Sequence, residues 1–152
     1  MKHFVLTTVI TLLAALACSQ AKAESVVYIY FDHKMGWAEL PFAINGEQAF
    51  TLTPEPANVT PAMTIYKKVM RKITFTHPSR FVLSMDNSWY GKPYHMETIL
   101  DLEDGETYFV ELDFTMKGGT FKEVPAEKGM KYVQKALKDK GTTVNSDFVY
   151  EK

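Results

Sequence analysis

Residues 96–116 read METILDLEDGETYFVELDFTM. In the second half Tyr108, Val110, Leu112, Phe114 and Met116 take every second place, with Phe109, Glu111, Asp113 and Thr115 between them. A period of two sends these sets to opposite faces of a strand. In the first half Met96, Thr98, Leu100 and Leu102 alternate with Glu97, Ile99 and Asp101, and Asp104-Gly105 offers a residue that tolerates positive φ where the chain must reverse. The stretch reads as a two-stranded hairpin, and it sets a β protein as the expectation for the rest of the chain.

Upstream, VVYIYF at 26–31 is apolar at every place, as a strand covered on both faces would be. Leu40, Phe42 and Ile44 alternate with Pro41 and Ala43, and Asn45-Gly46 supplies turn chemistry before residues 48–52, which together read as a hairpin. A second hairpin is expected from residues 72–76, the turn His77-Pro78-Ser79, and 80–85, where Phe81, Leu83 and Met85 repeat every second residue.

Between these hairpins Pro54, Pro56 and Pro61 break any long strand. Ala62, Ile65, Tyr66, Val69, Met70 and Ile73 then follow helical spacing, with Thr60 placed as N-cap and Pro61 in the first turn. A short helix over 61–71 is expected within the 60–72 insertion, its Lys67, Lys68, Arg71 and Lys72 forming a solvated face. After Lys117-Gly118-Gly119 a short strand is expected at 121–124. A surface helix should follow over 125–138, with Met130, Val133, Ala136 and Leu137 as its apolar stripe and an end before Gly141. The tail, 141–152, has two readings: an edge strand through Phe148 and Tyr150, or a mobile segment, the latter favoured. About seven short strands with regular turn signals and a closing helix imply a mainly β protein, an antiparallel β-sandwich more than an open barrel.

At the other end, Lys2 and His3 precede an apolar run over 4–17 and then small residues, the order of a secretory signal peptide. The run is shorter than the ~20 residues of an ordinary spanning helix. Ala21-Lys22-Ala23 is a good A-x-A site, so 1–23 is read as a signal peptide cleaved after Ala23, 24–140 as one domain and 141–152 as a tail. The alternative is lipid attachment at Cys18, which ends the apolar run; the residues before it, Ala15 and Leu16, stand in the reverse of the preferred lipoprotein order. The expected location is periplasmic or secreted, with membrane contact only if Cys18 carries a lipid.

Cys18 is the only cysteine, so a chain cleaved after Ala23 has neither thiol catalysis nor a disulfide or Cys-based zinc site available. Without Lys2 and Lys22 the 17 basic residues fall to 15 against 18 acidic ones, a net charge near −3 that argues against general nucleic-acid binding. An exported, disulfide-free domain of this size reads as bacterial, which leaves the sequon Asn58-Val59-Thr60, followed by Pro61, without a glycan.

The succession of leader, VVYIYF, ING, ITFTHPSRFVLSM, ETILDLEDGETYFVELDF and closing helix resembles a bacterial family catalogued as domain of unknown function 2846. The resemblance spans about 26–137 and is firmest at 74–83 and 100–110. It implies a small β-sandwich behind a signal or lipoprotein leader, and it brings no catalytic residues. The chain departs from the family at Pro78-Ser79, where members have Pro-Gly, and in the longer connection over 50–72.

No G-x-S-x-G elbow, P-loop or H-E-x-x-H motif is present. The acidic run Asp101, Glu103, Asp104 and Glu106 lacks the glycine position and closing Glu of a calcium loop and reads as a solvated turn. His33-Lys34-Met35 and His95-Met96 pair residue types that suit copper, but neighbours on a strand face opposite ways, so no metal site is assigned. The candidate binding loop is residues 86–95, DNSWYGKPYH, in which Trp89, Tyr90, Tyr94 and His95 offer aromatic faces with polar tips and Met35 and Trp37 are candidate neighbours. The expectation is a non-enzymatic exported envelope protein without cofactor, acting as a binding or assembly module on an envelope protein. The alternatives are a sandwich binding a sugar or metal, and an unrecognised periplasmic hydrolase.

Overall fold

The computed structural model describes residues 23–89, 91–115 and 118–152, with the backbone alone at Trp89; residues 1–22 of the leader, Cys18 among them, and Tyr90, Met116 and Lys117 lie outside them. These residues form strands β1 (Ser25–Phe31), β2 (Leu40–Ile44), β3 (Glu47–Leu52), β4 (Pro56–Val59), β5 (Thr64–Tyr66), β6 (Lys68–Phe75), β7 (Arg80–Trp89), β8 (Lys92–Asp101), β9 (Thr107–Thr115) and β10 (Gly118–Val124). Helix α1 (Ala126–Ala136) follows, then β11 (Thr142–Val144) and β12 (Phe148–Tyr150). One sheet runs β10-β9-β1-β6-β11, with β12 also on β6; a second runs β3-β2-β7-β8; β4 and β5 pair alone. Pairing is antiparallel except for β1 with β9 and β6 with β11 and β12, which are parallel.

The fold is mainly β and sandwich-like, because the two larger sheets share one core. Val27, Ile29, Val69, Ile73, Phe75, Val110 and Leu112 from the first sheet meet Leu40, Phe42, Ile44, Leu52, Leu83 and Met85 from the second. The other face of the first sheet is covered by α1, where Tyr30, Met70 and Phe109 pack on Val133 and Ala136. β1 is therefore sandwiched, which is why its sequence is apolar at both phases. Gly129 makes the close approach possible: a Cβ there would overlap the ring of Phe109. The helix stripe is accordingly Gly129, Val133 and Ala136, while Met130 and Leu137, expected to be buried, are exposed.

Asn45 and Gly46 both have positive φ (50° and 79°), so β2 and β3 are joined by the expected primed turn. The other two expected hairpins are different. β6 belongs to the first sheet and β7 to the second, so His77-Pro78-Ser79 is a corner between sheets. Asp104-Gly105 likewise passes the chain from β8 to β9, between sheets, with Gly105 at φ 78° and its N–H on the Ala23 carbonyl. Of the stretch expected as a loop, residues 86–89 and 92–95 are the paired ends of β7 and β8, with Asp86 opposite His95 and Trp89 opposite Lys92.

The expected helix over 61–71 is absent; the segment is a turn followed by β5 and the start of β6. Thr60 does accept the Met63 N–H on its hydroxyl (3.1 Å), the bond of an N-cap, but its own N–H donates to the Met63 carbonyl (2.9 Å), which closes a hairpin turn instead. The residues that follow are β-branched or aromatic at Thr64, Ile65, Tyr66, Val69 and Ile73, and β1 offers a full partner from Ser25 to Phe31. Burying Val69, Ile73 and Phe75 in the common core outweighs a weak local helical preference. The tail is also ordered, contrary to the favoured reading: β11 and β12 extend the first sheet on β6.

Candidate functional site

The sequence's candidate residues separate. Tyr94 points inward against Phe114 (5.7 Å between centroids), and Trp37 packs on the same Phe114 (4.6 Å) and lies 6.2 Å from Tyr94. The Trp37 indole N–H donates to the Ser88 carbonyl (3.2 Å), which fastens the loop before β2 to the end of β7. Burial, more than any neighbour, lifts the Tyr94 phenol above its ordinary value. These rings close one end of the sandwich.

His95 points the other way, as the next residue on a strand must. Its Nδ1 is 2.7 Å from Asp86 and its Nε2 3.7 Å from Glu97, so its pKa is raised, chiefly by the hydrogen bond to Asp86. The two nitrogens address carboxylates on opposite sides of the ring and do not converge on one point. Among the described residues no group of three or more His, Cys, Asp or Glu side chains is placed to hold a metal ion.

Beneath α1, Tyr30 stacks on Tyr132 with centroids 3.9 Å apart. Burial pushes Tyr30 up to about 12, with Glu111 and Asp32 adding to it, and it raises Tyr132 as well. Both phenols thus stay protonated at neutral pH.

The strongest surface feature is one the sequence did not suggest. β4 and β5 form a two-stranded arm that pairs with neither sheet. All four residues of β4 are exposed, and so are Thr60, Pro61, Ala62 and Met63 at the tip; Val59 is 68% exposed and Met63 56%. Residues 56–66, PANVTPAMTIY, contain no charge. The base is fixed: the Lys67 N–H donates to the Glu55 carbonyl and the two side chains pair (both 2.8 Å), while Tyr66 and Met35 exchange backbone bonds of 2.8 and 3.2 Å. A neutral ribbon with an exposed outer strand and an apolar tip is thereby joined to the body at its base, where β5 is half-buried.

No protein-family model matches the chain, and no curated protein matches it. No helix among the described residues is long and apolar enough to cross a membrane.

Proposed function

We propose that this protein is an exported, non-enzymatic binding or assembly module of a bacterial envelope, and that it meets a partner protein through the β4–β5 arm. The observation that carries the reading is the arm's exposed, uncharged sequence between the paired Glu55 and Lys67. Soluble proteins ordinarily guard free strands with charge, and an isolated two-stranded ribbon is only marginally stable in water. An arm that is neutral, apolar at Val59 and Met63 and pre-organised at its base loses little entropy when it docks. The matching surface on the partner is a neutral, apolar cleft.

The leader at 1–23 and the lone Cys18 support export, and the resemblance to domain of unknown function 2846 points to the same kind of small exported sandwich. The arm springs from the Phe31 end of β1, whereas Ala23 lies at the Ser25 end, so a chain tethered through its leader would present the arm on the side away from the tether. A photo-crosslinking residue placed at 59 or 63 in the exported protein is expected to give a discrete product in intact cells, and the same residue at 99, on the exposed face of β8, is not. Products from 99 with none from the arm would overturn the reading.

A further inference from the structure

The two large sheets meet along two seams that are closed by different means. Between β8 and β10 closure is by packing, since Gly119 lets β10 lie against Tyr94 and Met96. Along the end of β3 and the residues that follow it, 51–55, closure is by hydrogen bonds from side chains. The Arg71 Nη1 donates to the Thr51 carbonyl (2.8 Å). The Asn145 amide accepts from the Thr53 N–H (2.8 Å) and donates to the Thr53 carbonyl (2.9 Å), and the Thr143 hydroxyl accepts from the Glu55 N–H (2.9 Å). This ladder stands in for a neighbouring strand, and it ends at Thr51.

Beyond Thr51 the ladder gives way to ring packing, Phe50 on Phe148 (5.5 Å between centroids), with a gap outside it. β3 ends its sheet and β12 pairs only with β6, and a groove of about 260 Å³ separates residues 47–49 from 148–152. Ala49, Phe148 and Tyr150 give it an apolar lining, and Glu47 and Lys152 pair across it. We propose that this groove takes an extended peptide segment of a partner protein, which adds as a short strand to the outer edge of β3 and sets one apolar side chain on Phe148 and Tyr150.

Three features favour a peptide backbone over other ligands. A strand edge without a neighbour presents N–H and C=O groups at strand spacing, which another extended backbone matches. The volume falls below the ~300–1,000 Å³ of pockets that enclose a drug-sized molecule, and it suits a side chain or two. The lining carries both signs of charge, so it selects neither an anion nor a cation. The register shift opposite Phe42 and Ala43 leaves Ala49 as a bulge, which ends the regular edge and limits the added strand to the length of residues 47–49. The groove lies at the opposite end of β3 from the arm, and the two sites stand or fall separately.

The test is an amide-resonance titration of the exported chain with two capped synthetic peptides, Thr-Val-Thr-Val-Thr and Thr-Pro-Thr-Pro-Thr. The first is expected to shift the amides of Gln48, Ala49, Val149 and Tyr150. The second, lacking two N–H groups, is expected to bind about tenfold more weakly or less. Ala49→Trp, which fills the groove, should abolish the shifts at Val149. Equal binding of both peptides, shifts confined to the arm or α1, or no shift at millimolar peptide would each overturn the proposal; shifts confined to the arm would do so while leaving the arm's role intact.

Discussion

The body of the sandwich and the β4–β5 arm are built from the same chain by opposite rules. In the body apolar residues face inward on at least one side of every long strand, and the edge strand β8 carries His95, Glu97 and Asp101 outward. In the arm nine successive residues, 55–63, are exposed, and between Glu55 and Lys67 none is charged. The body is explained by what it buries. Burial does not explain β4 and the tip of the arm, which are free to make contacts.

The contrast is most easily broken in the body. Phe42 is fully buried between the sheets, stacked on Phe50 at 4.9 Å, so Phe42→Ala should cost about 3–5 kcal/mol in denaturant unfolding. Gly129→Ala comes next. Alanine would favour the helix by ~1 kcal/mol, but its methyl would overlap Phe109, and overpacking of about 1–3 kcal/mol should prevail. If the variant proved more stable, α1 would not sit as closely on β9 as described. Asn145→Ala removes both side-chain bonds to Thr53, where water can take over in part, so a loss of ~1 kcal/mol and faster amide exchange at Thr53 are expected.

A smaller effect follows from His95. Its folded pKa is raised above the ordinary value of about 6.5, so the stability it lends is fully present below that pH and is lost as pH rises through the higher folded value. His95→Gln should lower the melting temperature at pH 5 and leave it unchanged at pH 9. A loss that is equal at both would show that the contact to Asp86 does not depend on the histidine's charge. Smallest of all should be the effect of Val59→Lys or Met63→Lys on stability, within about 0.5 kcal/mol, because both residues are mostly exposed.

What could be read from the sequence was whatever period two or turn chemistry writes locally. β9 and the Asn45-Gly46 turn stood out for that reason, as did the double apolar face of β1 and the position of α1. Turn chemistry reports that the chain reverses and not which strand it meets next, so Pro78-Ser79 and Asp104-Gly105 looked like hairpins where they are corners between sheets. At 60–73 one set of apolar residues satisfied two periods, and the partner that decided between them, β1, lies more than thirty residues away. β11 is too short to carry a pattern and the alternation of Phe148 and Tyr150 in β12 too brief to decide between the two readings of the tail; their order depends on β6 and on Asn145 bonding to a loop 92 positions distant. Of the candidate loop, Tyr94 joined the core and His95 the surface, which period two on β8 would have foretold once 92–95 was taken as strand.

The central claim is that the arm is a contact surface and contributes nothing essential to the fold. The most direct test is the double variant Val59→Lys, Met63→Lys, carrying a photo-crosslinking residue at 62 and compared with the parent bearing the same residue. The account predicts an unchanged melting temperature together with loss of the arm's crosslinked product. An unchanged melting temperature with the product intact would contradict it, and so would a variant that unfolds.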